Sequence, residues 1–285
     1  MGAQQDIACP NCGAVLTGAY CATCGQKRVQ DDLTLREFLH ETTHEMTHWD
    51  GKVPNTLKAL FFKPGLLTLD FLGGRRARWI PPLRLYLICS VAFFLSGPLV
   101  EGITHRSVRQ VAKFSLSNDD GSTTLTPESR KEIEQGLPAR VLGTDRLIRA
   151  AENNVQLNRA INSAFPKAMF VLLPLFAFLT YIAWKRKLQR YPAHLYVALH
   201  LHAVWFGALA IATVATIFVR SDSVARLFAL AAAVYVFWYV LVALHRVFGD
   251  SWVRTIAKGA AVGIVYAACF LVTSLALLAY AIASM

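Results

Sequence analysis

Charge is scarce in this chain. Asp, Glu, Lys and Arg make up only 16% of its 285 residues, against roughly a quarter in an ordinary soluble domain. Acids are scarcer than bases, 18 against 29, which leaves a formal net charge of +11. Hydrophobic residues fill 55%, and mean hydropathy is +0.40. This balance excludes an ordinary soluble enzyme and equally a disordered or fibrous chain. Cysteine is also scarce: six in the whole sequence are too few for a disulfide scaffold. No long apolar run precedes residue 80 or so, so no secretory signal peptide is read, and the N-terminal region is expected to stay on the side of synthesis. No basic patch is interleaved with aromatics in the manner of a nucleic-acid module. The positive excess lies largely at the borders of apolar runs, where anionic lipid is the natural counterpart, so no nucleic-acid partner is expected.

What is abundant is long apolar sequence. A bilayer core of about 30 Å takes about 20 apolar residues in one helix. Five stretches meet that measure: Leu83 to Val100, Ala168 to Trp184, Leu195 to Val219, Val224 to Leu244 and Gly259 to Ile282. None has an Asp or Glu inside it. Spans of this length satisfy their backbone in lipid only as helices. The alternative, five core helices of a soluble protein, fits poorly with spans that are apolar on every face and joined by short basic loops. The expected fold is therefore an all-α polytopic membrane protein with about five transmembrane helices and a small N-terminal zinc ribbon. The parts are residues 1–30 (ribbon), 31–82 (a cytoplasmic amphipathic helix and a segment leading into the membrane), 83–100 (the first span), 101–166 (a periplasmic helical insertion) and 167–285 (spans two to five).

Basic residues set the orientation. Arg75, Arg76, Arg78 and Arg84 precede the first span, Lys185, Arg186, Lys187 and Arg190 fill the loop after the second, and Arg246, Arg254 and Lys258 flank the loop after the fourth. The loop after the third has only Arg220 and Arg226, with Asp222 between them. The positive-inside rule places the N-terminus and the richly basic loops in the cytoplasm and the C-terminus outside.

The ribbon is read from Cys9-Pro10-Asn11-Cys12-Gly13 and Cys21-Ala22-Thr23-Cys24-Gly25. Cys-x2-Cys turns two thiolates toward one point, and two such pairs give the four tetrahedral ligands of a zinc ion. The glycine after each pair permits the tight turn. Leu16 to Tyr20 is expected to form a hairpin that brings the pairs together. Redox and disulfide readings compete, but no thioredoxin-like unit surrounds the motif and a cytoplasmic segment stays reduced. With all four positions taken by Cys9, Cys12, Cys21 and Cys24, the zinc is expected to be structural.

A second metal-binding pattern is His40-Glu41-Thr42-Thr43-His44-Glu45-Met46-Thr47-His48, two overlapping HExxH motifs on a helix expected over Leu33 to His48. His at i and i+4 share a face, as in zinc proteases. The amphipathic reading is stronger. Leu35, Phe38, Leu39, Thr42, Met46 and Trp49 form one side, leaving His40, His44 and His48 on the polar side, and about 80 residues before the first span cannot build a protease domain. Those histidines stay candidates for a second metal or for pH sensing.

Downstream run Asp50-Gly51-Lys52, Thr56-Leu57, Leu60, Pro64-Gly65 and then Phe71-Leu72-Gly73-Gly74-Arg75-Arg76-Ala77-Arg78-Trp79-Ile80-Pro81-Pro82-Leu83-Arg84-Leu85-Tyr86. Together with the two CxxCG pairs and Gln26-Lys27, they resemble a family of bacterial inner-membrane proteins catalogued as domain of unknown function 3667. The likeness is best over residues 9–96. Tyr191, His194, His200 and His202 also fit its pattern, whereas the HExxH pair does not. The resemblance implies a bacterial inner-membrane location and a zinc ribbon, and no reaction. Physically, residues 64–86 read as an anchoring device: Arg75, Arg76 and Arg78 for lipid headgroups, Trp79 for the aromatic belt, and Pro81-Pro82 for a helix start.

Ionisable residues inside spans are functional candidates. His194, His200, His202, Tyr239 and His245 can form a cytoplasm-facing pocket for a metal, a proton or a lipid headgroup if the third and fourth spans pack together. In the alternative, each histidine bonds a carbonyl or a neighbouring helix. Gly259, Gly263 and Ala267 form a small-residue stripe suited to close packing, within the chain or in a homo-oligomer. The expected function is a non-enzymatic anchor or sensor whose ribbon docks a cytoplasmic protein. A membrane enzyme or lipid or metal transporter using the His/Tyr pocket is the alternative, and a zinc protease comes third.

Overall fold

The computed structural model describes residues 8–28, 51–104, 154–219 and 221–283, with positions 145 and 148. The helix expected over 33–48, with His40, His44 and His48, lies outside the described residues, as does most of the 101–166 segment. Among the described residues seven α-helices follow one another: α1 (Val53–Phe62), α2 (Leu66–Leu72), α3 (Pro82–Thr104), α4 (Asn154–Trp184), α5 (Tyr191–Ala215), α6 (Asp222–Phe248) and α7 (Trp252–Ala283). Helices α3 to α7 carry the five expected spans, the third ending in α5 at Ala215 with a 3-10 turn over Thr216–Phe218 beyond it, and each is long and apolar enough to cross a membrane.

The apolar character explains who packs where. Helix α5 is buried along nearly its whole length, with α3, α4 and α6 around it, and α7 rests on α4 and α6. Helix α7 is as apolar as α5 yet mostly exposed, with Thr255, Val262, Ala281 and Ile282 its buried residues. Val253, Ile264, Val272 and Tyr280 stand open on it, as Leu230, Val234 and Phe237 do on α6. An apolar surface of this extent marks a face meant for another apolar phase. The small-residue stripe divides: a side chain at Gly259 would meet Leu241 and Leu244 of α6, while among the described residues nothing lies within 4 Å of one at Gly263.

Helix α4 begins well before its expected span, at Asn154. The helix runs through Pro166 at the border of the span and through Pro174 within it.

Residues 53–72, the latter part of which reads in the sequence with 64–86 as an anchoring device, form a helical hairpin packed against α5 and α6. Thr56, Ala59 and Leu60, at i, i+3 and i+4, form the buried stripe of α1. Pro64 and Gly65 end it, and Gly65 takes φ +77 to reverse the chain. Its missing side chain lets Ala243 and Val247 of α6 approach to 3.3–3.4 Å of the Cβ position. The hairpin reaches deep. Thr68 Oγ1 lies 3.0 Å from His200 Nδ1, nine residues or about 14 Å along α5 from its start. The Phe61 ring sits where a Gly207 side chain would be, 2.5 Å from the Cβ position, about 24 Å along the same helix. Backbone carbonyls at the tip are met by side chains: Tyr235 donates its hydroxyl to Phe61 O at 2.6 Å, and Arg246 donates to Pro64 O at 3.2 Å.

Gly207→Val tests this seating. The new methyls must displace the Phe61 ring, and overpacking of this kind costs about 1–3 kcal/mol. We expect a lower unfolding midpoint in detergent and faster hydrogen exchange over residues 56–72; unchanged exchange would mean that the hairpin is not seated there.

A four-cysteine centre and the groups around it

The two knuckles are built alike. Cys9 N–H donates to Ala14 O and Gly13 N–H to Cys9 O, both at 2.8 Å; Cys21 N–H donates to Gln26 O at 2.8 Å and Gly25 N–H to Cys21 O at 2.9 Å. Gly13 and Gly25 have φ +79 and +72, which is why glycine follows each pair. Isolated bridges, Ala8 with Val15 and Tyr20 with Lys27, close each knuckle on itself. The expected hairpin over Leu16 to Tyr20 is therefore replaced by two separate loops, because each CxxCG turn supplies its own closing hydrogen bonds.

The four sulfurs converge. Cys9 Sγ is 3.7 Å from Cys24 Sγ, Cys12 Sγ is 3.5 Å from Cys21 Sγ, and the ligand atoms all lie within 4.8 Å of one another. A tetrahedral ion with metal–sulfur bonds near 2.3 Å would hold its sulfurs about 3.8 Å apart, so the donor set fits a metal ion. Among the described residues this is the one cluster of three or more His, Cys, Asp or Glu that could hold one. The Cys24 backbone N–H is the chief influence lowering Cys21 to about 6, and the Gln26 backbone N–H the chief one lowering Cys24. At Cys12 the Ala14 backbone also pulls down, but desolvation and the neighbouring thiols outweigh it and carry that group up to about 12.

The centre is tied to the helical body chiefly by the hydrogen bonds of one side chain. Gln26 is buried. Its amide nitrogen donates to Gly74 O at 2.6 Å, and its amide oxygen accepts from Arg76 N–H and Ala77 N–H, each at 3.0 Å. Pro10 of the first knuckle packs on Gly74, whose φ is +74.

Behind that loop sits Asp70, only 2% exposed. It accepts from Arg75 Nε at 2.8 Å and from Trp79 Nε1 at 2.8 Å. The Arg75 and Arg78 guanidiniums lie 2.7 and 3.2 Å from its oxygens. Arg76 lies over the Tyr196 ring at 5.8 Å. The three arginines expected at lipid headgroups are thus partly spent inside the protein, since a buried carboxylate and an aromatic face attract them first. About half of the Arg75 and Arg78 side chains stays exposed.

The five expected pocket residues do not converge. His194 donates through Nε2 to Leu188 O at 2.9 Å, and its Nδ1 is 3.2 Å from Thr180 Oγ1. His202 donates through Nδ1 to Ala198 O at 2.8 Å and accepts at Nε2 from the Tyr266 hydroxyl at 2.9 Å. His200 meets Thr68 and the Phe71 ring. Tyr239 is buried beside Tyr235, and His245 stacks on Trp252 at 4.0 Å. Among the described residues no hydrogen bond or ring contact joins two of the five. Successive 100° steps along α5 aim its histidines at different neighbours.

Sequence reasoning singled out neither Asp70 nor Asp250, and quoted Gln26 without a role. Asp250 accepts from Trp184 Nε1 at 3.1 Å and Lys258 Nζ at 2.8 Å, with Lys187 Nζ at 3.7 Å. Lys258, first of its neighbours, holds the carboxyl below the usual range.

Helices of membrane-spanning length, a deep helical hairpin and a four-thiol cluster define the class of protein: a polytopic helical protein of membrane type with an N-terminal metal-ligand cluster. A family model described as protein of unknown function (DUF3667) matches residues 50–94, so the resemblance read in the sequence is borne out over that segment, which spans α1, α2 and the start of α3. No curated protein and no solved structure matches the chain.

Proposed function

We propose that this chain is a non-enzymatic bacterial inner-membrane protein, an anchor or sensor, whose cytoplasmic zinc ribbon closes over a re-entrant helical hairpin and docks a cytoplasmic partner. Zinc is the natural ion for four thiolates in a closed tetrahedral set. The basic loops support a cytoplasmic N-terminus and a periplasmic C-terminus. Backbone that leaves the helix at membrane depth is tolerated when protein groups meet it, and Tyr235 and Arg246 do so at the hairpin tip. Exposed Val15 and Tyr20 leave the ribbon an outward apolar face for a protein partner, and the open side of α7 at Gly263 suits a second copy of the chain.

The observation that carries this reading is the Gln26 clasp, which makes the ribbon part of the membrane body. Gln26→Ala removes its three hydrogen bonds to the loop. With water replacing part of the loss, we expect a cost of about 2 kcal/mol, roughly thirtyfold in the docking equilibrium. Hydrogen exchange at Arg76 and Ala77 should rise by that factor while the metal stays bound; unchanged exchange with metal in place would remove the clasp.

The alternative, an enzyme or a lipid or metal transporter working through the His/Tyr pocket, draws on two atoms. His200 Nε2 and His245 Nδ1 are buried with no hydrogen-bond partner among the described residues. They stand on different helices, His200 against the Phe71 ring and His245 stacked on Trp252, and no contact joins them, so they support it less well.

A further inference from the structure

A second polar centre lies between the α4–α5 and α6–α7 connections. The cleft there is lined by Ile182, Ala183, Trp184, Lys185, Arg186, Lys187, Asp250, Arg254 and Lys258, so five cations face one carboxylate. Asp250 is almost fully buried, and its oxygens are taken by Trp184, Lys258 and Lys187. Trp184 is itself held flat against Phe248, ring centroids 4.5 Å apart, and Lys258 lies 5.4 Å above its indole ring. The carboxylate and the indole thus form a fixed floor that sets two ammonium groups in place. They do not neutralise the cleft: Lys185, Arg186 and Arg254 remain exposed around it.

We propose that this cleft binds the phosphate of an anionic phospholipid. Guanidinium forks suit phosphate oxygens, and a basic pocket between helix ends on the cytoplasmic side is a natural headgroup site. The walls argue for a lipid rather than a free anion. Below the cations the cleft is apolar, at Ile182 and Ala183. Exposed Phe178 stands one helical turn from Ile182 on the same face of α4, a course for an acyl chain. The inference rests on the membrane reading above. If the purified chain stays monodisperse without detergent, that reading falls, and the lipid assignment falls with it.

The test uses the full chain in a neutral detergent. Its unfolding midpoint is followed against dioctanoyl phosphatidylglycerol, dioctanoyl phosphatidylcholine and inorganic phosphate. We expect saturable stabilisation by phosphatidylglycerol only, weakened at least tenfold in apparent affinity in the double variant Arg186→Gln, Arg254→Gln. A cooperative unfolding transition near the wild-type midpoint in the absence of lipid reports that this variant is folded. The pair Arg75→Gln, Arg78→Gln, at the other basic cluster, should keep the lipid response. Equal stabilisation by phosphatidylcholine, or an unchanged response in a folded double variant, would overturn the proposal. Inorganic phosphate acting as strongly as the lipid would uphold an anion site and overturn the lipid as its occupant.

Discussion

Replacing Cys12 and Cys21 together with serine is expected to strip the metal from the protein. The wild-type chain should carry about one ion per chain through purification, because four converging thiolates bind zinc with an apparent free energy on the order of 10–16 kcal/mol at neutral pH. The double variant should carry almost none. Both knuckles then lose a ligand, and few other forces hold 8–28 together. Among its described residues only Cys9, Cys21 and Gln26 are well buried, too little apolar burial to fold a segment of this size alone. The ribbon should therefore become sensitive to protease while α3 to α7 stay helical. Metal analysis and limited proteolysis in detergent measure both effects. A metal retained by the variant would refute the centre drawn here and turn attention to His40, His44 and His48. Affinity should also fall on acidification, since every thiolate must lose a proton to bind.

The second large effect is expected at Asp70. In Asp70→Ala the Trp79 indole N–H loses its acceptor, and Arg75 and Arg78 lose their counter-ion. Removing one partner from a buried charged network costs roughly 3–5 kcal/mol, and because both guanidiniums are half-exposed and can rehydrate, about 3 kcal/mol is the expected loss. Arg78→Ala should cost under about 1 kcal/mol, in the range of an exposed ion pair. Unfolding midpoints of the two variants in detergent make the comparison. Equal losses would mean that the carboxylate is not the centre of the network. The clasp should loosen in Asp70→Ala as well, because Arg75, whose Nε donates to the Asp70 carboxylate at 2.8 Å, sits between Gly74 and Arg76 of the loop that Gln26 grips.

How much of this was legible in the sequence follows from the range of the interactions. The five spans were, because apolar length is a local property. The sulfur cluster was, because Cys-x2-Cys-Gly writes its geometry into five residues. The start of α3 at Pro81-Pro82 was, for the same reason. The hairpin's burial was not. Leu60, Leu67 and Phe71 show an amphipathic stripe, but a stripe does not say whether water, lipid or α5 lies against it. Asp70 was hidden because the Arg75-Arg76-Ala77-Arg78 run reads as a solvated patch unless its buried partner is seen. The histidines of α5 misled in the opposite sense. Spacing placed them on one helix, while their partners, Thr68, Tyr266 and Leu188, sit on segments far away in sequence or in a loop, and pairing at that distance leaves no local pattern. Asp250 and Trp184, 66 residues apart, are a further case.

Gln26 grips its loop only through peptide groups: one carbonyl and two amides. The identities at positions 76 and 77 are therefore invisible to it, and those side chains are at liberty to change for the sake of whatever lies beneath them. The amide itself has no such latitude. Glutamate in its place would present two acceptors where one donor is required, and asparagine would fall short by a methylene. Across variants of this protein, drift in the loop should coexist with a fixed residue at 26 and a fixed glycine at 74.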